Sequence, residues 1–143
     1  MMISRTTALI SVGLLVLSVS YSPAQQEQTV NDEDIVVSSF EEMIYPAIAR
    51  AAGREGTVVV EVKLDKDGYV VSASAISGSK MLIPDTLSNV RKWRFHPNSQ
   101  KTAVVIYEFH LVEGKCNAGR TGLFVLRGPN VATVTTCYME PEP

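Results

Sequence analysis

The sequence predicts an α+β fold in two layers: a three-stranded antiparallel sheet packed on a helix, with an extra β-hairpin at the C-terminus. Hydrophobic residues alternate with period two over residues 57–64, and after residue 80 their spacing changes to that of a helix. Alternation returns over residues 102–112. Because a lone hairpin is only marginally stable, this third strand is expected in the same sheet.

The N-terminus is predicted to be a signal peptide over residues 1–24. Arg5 supplies a positive charge, residues 8–20 are apolar and uncharged, and Ala24 precedes the expected cleavage site. This apolar run is shorter than the roughly 20 residues that a helix needs to cross a bilayer. Export with cleavage is therefore favoured over a short N-terminal anchor.

A flexible leader is predicted over residues 25–42, because residues 25–34 are polar and acidic without an apolar period. Residues 35–37 are a candidate short edge strand. The folded domain is expected over residues 43–143.

The domain is expected to open with a short helix. Pro46 suits the first turn, where its missing N–H would have no partner anyway, and Gly53 suits the position just after the last turn.

A β-hairpin follows this helix. Residues 57–64 form its first strand, and residues 69–76 form the return strand. The turn between them contains Asp67-Gly68, in which glycine can adopt positive φ. The side chains expected on the buried face of the first strand are Val58, Val60, Val62 and Leu64.

The second helix is expected to begin near Pro84 and to end before Pro97. Its apolar residues fall close to one face: Leu82, Leu87, Val90 and Trp93. Trp93 and Phe95 are interpreted as core residues. The basic residues at its end, Arg91, Lys92 and Arg94, suit the helix dipole.

The third strand, residues 102–112, changes the phase of its alternation. Val104 and Ile106 share one phase, and Phe109 and Leu111 follow in the other. This change predicts a β-bulge.

A second hairpin is predicted over residues 116–138, around the turn at residues 127–130. Cys116 and Cys137 bracket it almost end to end. Export to an oxidising compartment favours a disulfide between them, and two unpaired buried thiols are the alternative.

Several classes of function have no support in the sequence. The net charge of −2 argues against nucleic-acid binding. The cysteines and histidines lack zinc-ligand spacing, and Ile76 stands where a calcium loop starting at Asp65 needs a carboxylate. His96 and His110 have no nucleophile in a recognised motif. We therefore expect no catalytic residues, no metal, no cofactor and no enzymatic activity.

The ordered motifs of residues 45–112 resemble the C-terminal domain of the TonB family. The resemblance is carried by Tyr45-Pro46 before an alanine-rich helix, Glu55-Gly56 before a valine-rich strand, Asp67-Gly68 at the turn, and Trp93-Arg94-Phe95-His96-Pro97 after the second helix.

This resemblance implies an exported, periplasmic domain of a Gram-negative-type envelope that binds an extended segment of an outer-membrane transporter or another envelope protein. Such a domain binds by strand addition, in which backbone hydrogen bonds supply affinity. By position in the family, the third strand is the expected edge. Its candidate partner-binding residues are Thr102, Val104, Ile106, Glu108 and His110.

The chain departs from the family's full-length transducer. Its apolar run is short and lacks a histidine, no long proline-rich spacer follows, and a hairpin is added at the C-terminus. An inner-membrane motor complex is expected as a partner only if the N-terminal segment stays uncleaved, which would leave the chain anchored in the inner membrane and facing the periplasm. The alternative function is a structural or assembly protein whose sheet edge is closed by the added hairpin or by a homodimer.

Overall fold

A computed structural model describes residues 35–113 and 122–138 of the 143-residue chain. The predicted signal peptide, residues 25–34 of the predicted leader, and Cys116 lie outside the described residues. Within the described ranges, neither helix has the length and hydropathy of a membrane span. The elements in chain order are β1 (Val37–Ser39), α1 (Ala47–Ala51), β2 (Gly56–Leu64), β3 (Val70–Ser77), α2 (Ile83–Val90), β4 (Arg94–Phe95), β5 (Thr102–Val112), β6 (Leu123–Arg127) and β7 (Val131–Cys137).

The architecture confirms the predicted α+β class. Five strands form one sheet in the order β3-β2-β5-β7-β6, and β1 pairs with β4 in a separate two-stranded sheet. All pairs are antiparallel except β5 with β7, which is parallel. The strand count differs from the expectation, because the C-terminal hairpin joins the main sheet beside β5.

The buried face of β2 carries the side chains expected from its alternation. Val58, Val60 and Val62 are fully buried and Leu64 is 4% exposed. Burying one such side chain stabilises the fold by about 1.5–3 kcal/mol relative to leaving it in water. This row of residues therefore fixes which face of the sheet receives α2.

The predicted bulge in β5 is wrong. The pairing of β5 with β2 runs without a register shift from Thr102 to Phe109. The buried residues are Ala103, Val105, Tyr107 and Phe109, which keep a single phase. The apparent shift arose because Val104 and Ile106 are apolar although they lie on the opposite, half-buried face.

The predicted flexible leader is ordered from residue 35 onward. Ile35 is 1% exposed, and β1 pairs with β4. The ring of Phe40 lies 5.8 Å from that of Trp93. This segment is ordered because its few apolar residues pack against the core. The polar residues around them made the segment look like a flexible leader in the sequence.

The second helix ends earlier than its apolar pattern indicated. α2 closes at Val90, and Arg94–Phe95 form β4 instead of a helical exit. The N–H of Phe95 donates to Gly68 O at 2.9 Å, and the N–H of His96 donates to Val36 O at 2.8 Å. Two neighbouring segments thus supply the backbone hydrogen bonds that a further helical turn would have made.

The side-chain amide of Asn89 is buried beside the aromatic core. Its Oδ1 accepts hydrogen bonds from Trp93 Nε1 at 3.0 Å and from the Tyr107 hydroxyl at 2.8 Å. Its Nδ2 donates to Glu41 O at 2.8 Å. Burial raises the pKa of Tyr107, so its hydroxyl keeps the proton that it donates. The three bonds join α2, β5 and the segment after β1.

The turn between β2 and β3 touches β4 directly. Gly68 has φ +85°, and a Cβ there would lie 1.8 Å from Phe95 O. The exposed Asp65 carboxylate accepts from the N–H groups of Tyr69 and Asp67, and these bonds hold its pKa below the ordinary value. The turn therefore requires glycine for its backbone conformation and for its clearance.

We predict that Gly68→Ala lowers the free energy of unfolding by about 2–4 kcal/mol, because the substitution adds a positive-φ penalty and a clash with β4. Urea denaturation measures the loss. Lys66→Ala, in the same turn at a largely exposed side chain, is the control and should stay within about 0.5 kcal/mol of wild type. Equal stability of the two variants would contradict the contact with Phe95.

We predict that Asn89→Ala costs about 2–4 kcal/mol, because it leaves two buried donors without an acceptor. Tyr107→Phe removes only one donor and should cost about 1 kcal/mol. Chemical denaturation with Trp93 fluorescence compares the two variants. An Asn89→Ala protein as stable as Tyr107→Phe would rule out a central role for this amide.

Candidate functional site: the edges of the sheet

The edge predicted to receive a partner is occupied by the chain's own hairpin. β7 pairs with β5 from Ile106 to Val112, so β5 lies between β2 and β7 in the sheet. The N–H of Ile106 donates to Asn130 O at 2.9 Å. Strand alternation places the backbone groups of the other predicted binding residues, Thr102, Val104, Glu108 and His110, on this same side. The expectation of β5 as an open edge is therefore corrected.

Two asparagine side chains cover the part of β5 that extends beyond β7. Asn98 Nδ2 donates to Thr102 O at 2.8 Å, and Asn98 Oδ1 accepts from Thr102 N at 3.3 Å. Asn130 Nδ2 donates to Val104 O at 3.1 Å. These amides supply hydrogen bonds that a neighbouring strand would otherwise make. Neither residue was predicted to have this role, and their places in Pro97-Asn98 and Pro129-Asn130 are the only signal in the sequence.

The hairpin is held by side chains as well as by backbone pairing. Ala132 and Val134 on β7 are 0% and 1% exposed. Phe124 on β6 places its ring 6.2 Å from Trp93 and 5.7 Å from Phe40. A fully buried valine contributes about 1.5–3 kcal/mol, and an alanine contributes less. Removing the hairpin to free β5 would therefore cost several such contributions together with the β5–β7 hydrogen bonds.

The remaining edges of the main sheet are β3 and β6, each paired on one side only in the described part of the chain. β6 is the outermost strand on the hairpin side, and its Leu123 is 60% exposed. β3 is the outermost strand on the other side, and its Val71 is 64% exposed. An extended partner that adds to this sheet would meet one of these two strands.

The predicted motif residues have structural positions. Tyr45 is 4% exposed, and its hydroxyl donates to Arg54 O at 2.5 Å. Burial, followed by the charge of Glu55, raises its pKa to about 12. Pro46 precedes α1, and Gly56 begins β2 opposite Phe109. These residues join α1 to the sheet.

The other motif residues surround β4. Trp93 and Phe95 are each 1% exposed, within the core. Asp67 is exposed and pairs with Lys66 at 3.0 Å beside Gly68, and the exposed Pro97 follows β4.

The structure brings together no arrangement typical of catalysis in the described ranges. His110 Nε2 lies 3.9 Å from Glu108 Oε2, and both side chains are partly exposed. His96 is exposed in the segment after β4. Residues 35–113 and 122–138 contain no group of three or more side chains of the metal-ligating types. An open groove of about 390 Å³ runs between residues 42–47 and α2, where Glu42, Asp85 and Lys92 give it mixed charge.

Cys137 ends β7 and is not a free thiol. Because Cys116 lies outside the described residues, the Cys116–Cys137 disulfide stays a prediction.

Comparison with known proteins gives three similarities. The family described as "Gram-negative bacterial TonB protein C-terminal" matches residues 41–111. Protein TonB of Vibrio cholerae serotype O1 is 32% identical over 82 residues, which are 56% of this chain and 34% of that protein. The chain therefore spans about a third of that relative's length. The solution NMR structure of the Pseudomonas aeruginosa TonB CTD is 26% identical with a TM-score of 0.43, and the match covers 55% of this chain and 88% of that one.

We predict that amide exchange distinguishes the closed edge from an open one. The N–H of Ile106 on β5 is paired with Asn130 and should be strongly protected. On β2, the N–H of Leu64 donates to Lys101 O, on the β5 side of the strand. By alternation, the backbone groups of Val60 and Val62 also face β5, so Ala73 and Ala75, which lie opposite them on β3, direct their N–H groups away from β2. These should exchange faster. Hydrogen exchange followed by NMR at low protein concentration measures both, and fast exchange at Ile106 would contradict closure by β7.

Proposed function

Since residues 41–111 form a domain of the TonB C-terminal family, we propose that the chain is an exported, non-enzymatic protein-binding domain. Its partner is an extended periplasmic segment of an outer-membrane transporter, engaged by strand addition in TonB-type transmembrane transport. Its place is the periplasm of the cell envelope. The family match is the observation that carries this proposal.

The partner segment adds to β6 in this proposal. β6 lies on the side of the sheet where the family resemblance placed the edge, moved outward by the two strands of the hairpin. Leu123 and Phe124 make one end of the strand apolar, and Arg127 supplies a cation at the other. Backbone hydrogen bonds give the affinity of such pairing, and alternate side chains give the register.

A structural or assembly role is the second candidate. The observation that favours it is the pairing of β7 with β5, which occupies the edge where a partner was expected. In this role the domain is a passive envelope component and binds no transporter segment.

Peptide binding separates the two candidates. The purified mature protein is titrated with synthetic peptides from the periplasmic N-terminal segments of outer-membrane transporters of the same bacterium, with scrambled peptides as controls. We expect binding in the micromolar range, which is typical of a short added strand. A folded protein that binds none of the peptides at high micromolar concentration would leave only the assembly role.

The proposed edge has a matched pair of variants. Leu123→Lys on β6 and Val71→Lys on β3 each place a charge at a similarly exposed apolar edge position. Leu123→Lys should weaken peptide binding about tenfold, because it desolvates a cation beside the added strand. Val71→Lys should leave binding unchanged. The opposite ranking would move the site away from β6.

The N-terminal residue of the mature protein decides whether a membrane motor takes part. We expect it to be Gln25, which would exclude direct coupling to an inner-membrane motor complex. A mature chain that retains residues 8–20 would instead anchor the domain in the inner membrane, facing the periplasm. N-terminal sequencing of protein purified from cells makes this measurement.

A further inference from the structure

The β3 edge lacks the residues that normally protect an exposed strand. β3 contains only valine, serine, alanine and isoleucine, whereas exposed edges are usually guarded by charged residues or proline. The register with β2 shifts between Lys63 and Leu64 and again between Val59 and Val60, which places bulges at Val71 and Ile76. Residues 72–75 between the bulges are regular. A regular, uncharged stretch of unpaired edge therefore lies between two exposed apolar side chains.

The unpaired backbone groups on this stretch belong to Ala73 and Ala75. Ser72 and Ser74 lie opposite Lys63 and Glu61, the β2 residues whose backbone groups face β3. By alternation the N–H and C=O groups of the two alanines point away from the sheet. A further strand that pairs with these groups would lie about 4.8 Å from β3.

We propose that this edge pairs with β3 of a second copy of the chain, antiparallel, about a two-fold axis through Ser74. The axis places Ala73 opposite Ala75 of the second copy and Ala75 opposite its Ala73. Each of these two pairs exchanges both of its N–H···O=C bonds, as the hydrogen-bonded pairs of an antiparallel ladder do. The two main sheets then become one continuous sheet across the dimer.

The sequence of β3 is self-complementary about this axis, and this favours a second copy over another partner. Ser74 meets Ser74 of the second copy, and Ser72 meets Ile76, so no charge meets a charge. Ile76 and Val71 lie at the two ends of the paired stretch. These side chains are 60% and 64% exposed in the single chain. An isologous contact repeats each favourable pair twice, which is the usual geometry of a dimer.

One strand pair is a small interface. Stable interfaces bury roughly 1,200 Å² or more, and smaller ones are typically weak and transient. We therefore expect a dissociation constant of tens of micromolar. Because the edge lies across the sheet from β6, the dimer is independent of the proposed transporter binding.

Charges introduced at the two-fold axis test this inference. Ser74 is exposed and lies opposite Glu61, so a lysine there has a carboxylate neighbour within its own chain. In a homodimer, however, Ser74→Lys faces a second lysine, and Ser74→Glu faces a second glutamate. Each variant should lower the association constant at least tenfold in sedimentation velocity at about 5–300 μM. An equimolar mixture of the two variants should recover a dimer.

Two controls separate this outcome from misfolding and from the β6 edge. Ser99→Lys, at an exposed serine outside the strands, should dimerise like wild type, and so should Leu123→Lys. Thermal unfolding, measured at a protein concentration where wild type is monomeric, verifies that both Ser74 variants fold. A wild type that is monomeric at about 300 μM would overturn the inference, and so would a mixture that fails to recover the dimer.

Discussion

The side-chain amide of Asn89 joins parts of the fold that are distant in sequence. Its oxygen accepts hydrogen bonds from Trp93 and Tyr107, and its nitrogen donates one to the backbone oxygen of Glu41. A buried polar group in an aromatic core costs free energy unless every partner is in place, so this amide favours one arrangement of α2, β5 and the N-terminal segment over near alternatives. The rings around Trp93 depend on that arrangement. Phe124 of the hairpin joins the same cluster, with its ring nearly perpendicular to that of Trp93 and the two ring centres 6.2 Å apart.

The C-terminal hairpin changes what the domain offers to a partner. In a three-stranded sheet, β5 would be an edge with unpaired backbone groups. Here β7 pairs with it, and Asn98 and Asn130 bond to the backbone that β7 does not reach. The chain thus supplies its own strand at the place where the family resemblance implied a foreign one. The open edges lie at β3 and β6, which differ in length and in residue type.

The elements that could be predicted from the sequence are those whose burial is periodic. β2 and its turn followed from the spacing of valines and from Asp67-Gly68, and the bounds of β5 followed from its alternating stretch. Its phase did not, because Val104 and Ile106 are apolar although they lie on the half-buried face opposite the core. The order of strands in the sheet could not be predicted from the alternation, because the sequence of a hairpin does not indicate which other strand it will pair with. Residues 35–42 were assigned to the leader for a similar reason: the three apolar residues from Ile35 and the single Phe40 carry too short a pattern, and only the tertiary fold shows that Ile35 is buried and that Phe40 lies against Trp93.

The strand order also bears on how the chain folds. β6 precedes β7 in sequence, yet it lies outside β7 and is attached to the sheet only through it. β6 therefore has no place in the main sheet until β7 has docked against β5. A chain that is made from its N-terminus can form β2, β3 and β5 early, but the edge of β5 stays uncovered until the last strand arrives. During that interval the nascent domain has the open edge that the finished domain has closed, so the family's exposed strand exists here only as a folding intermediate.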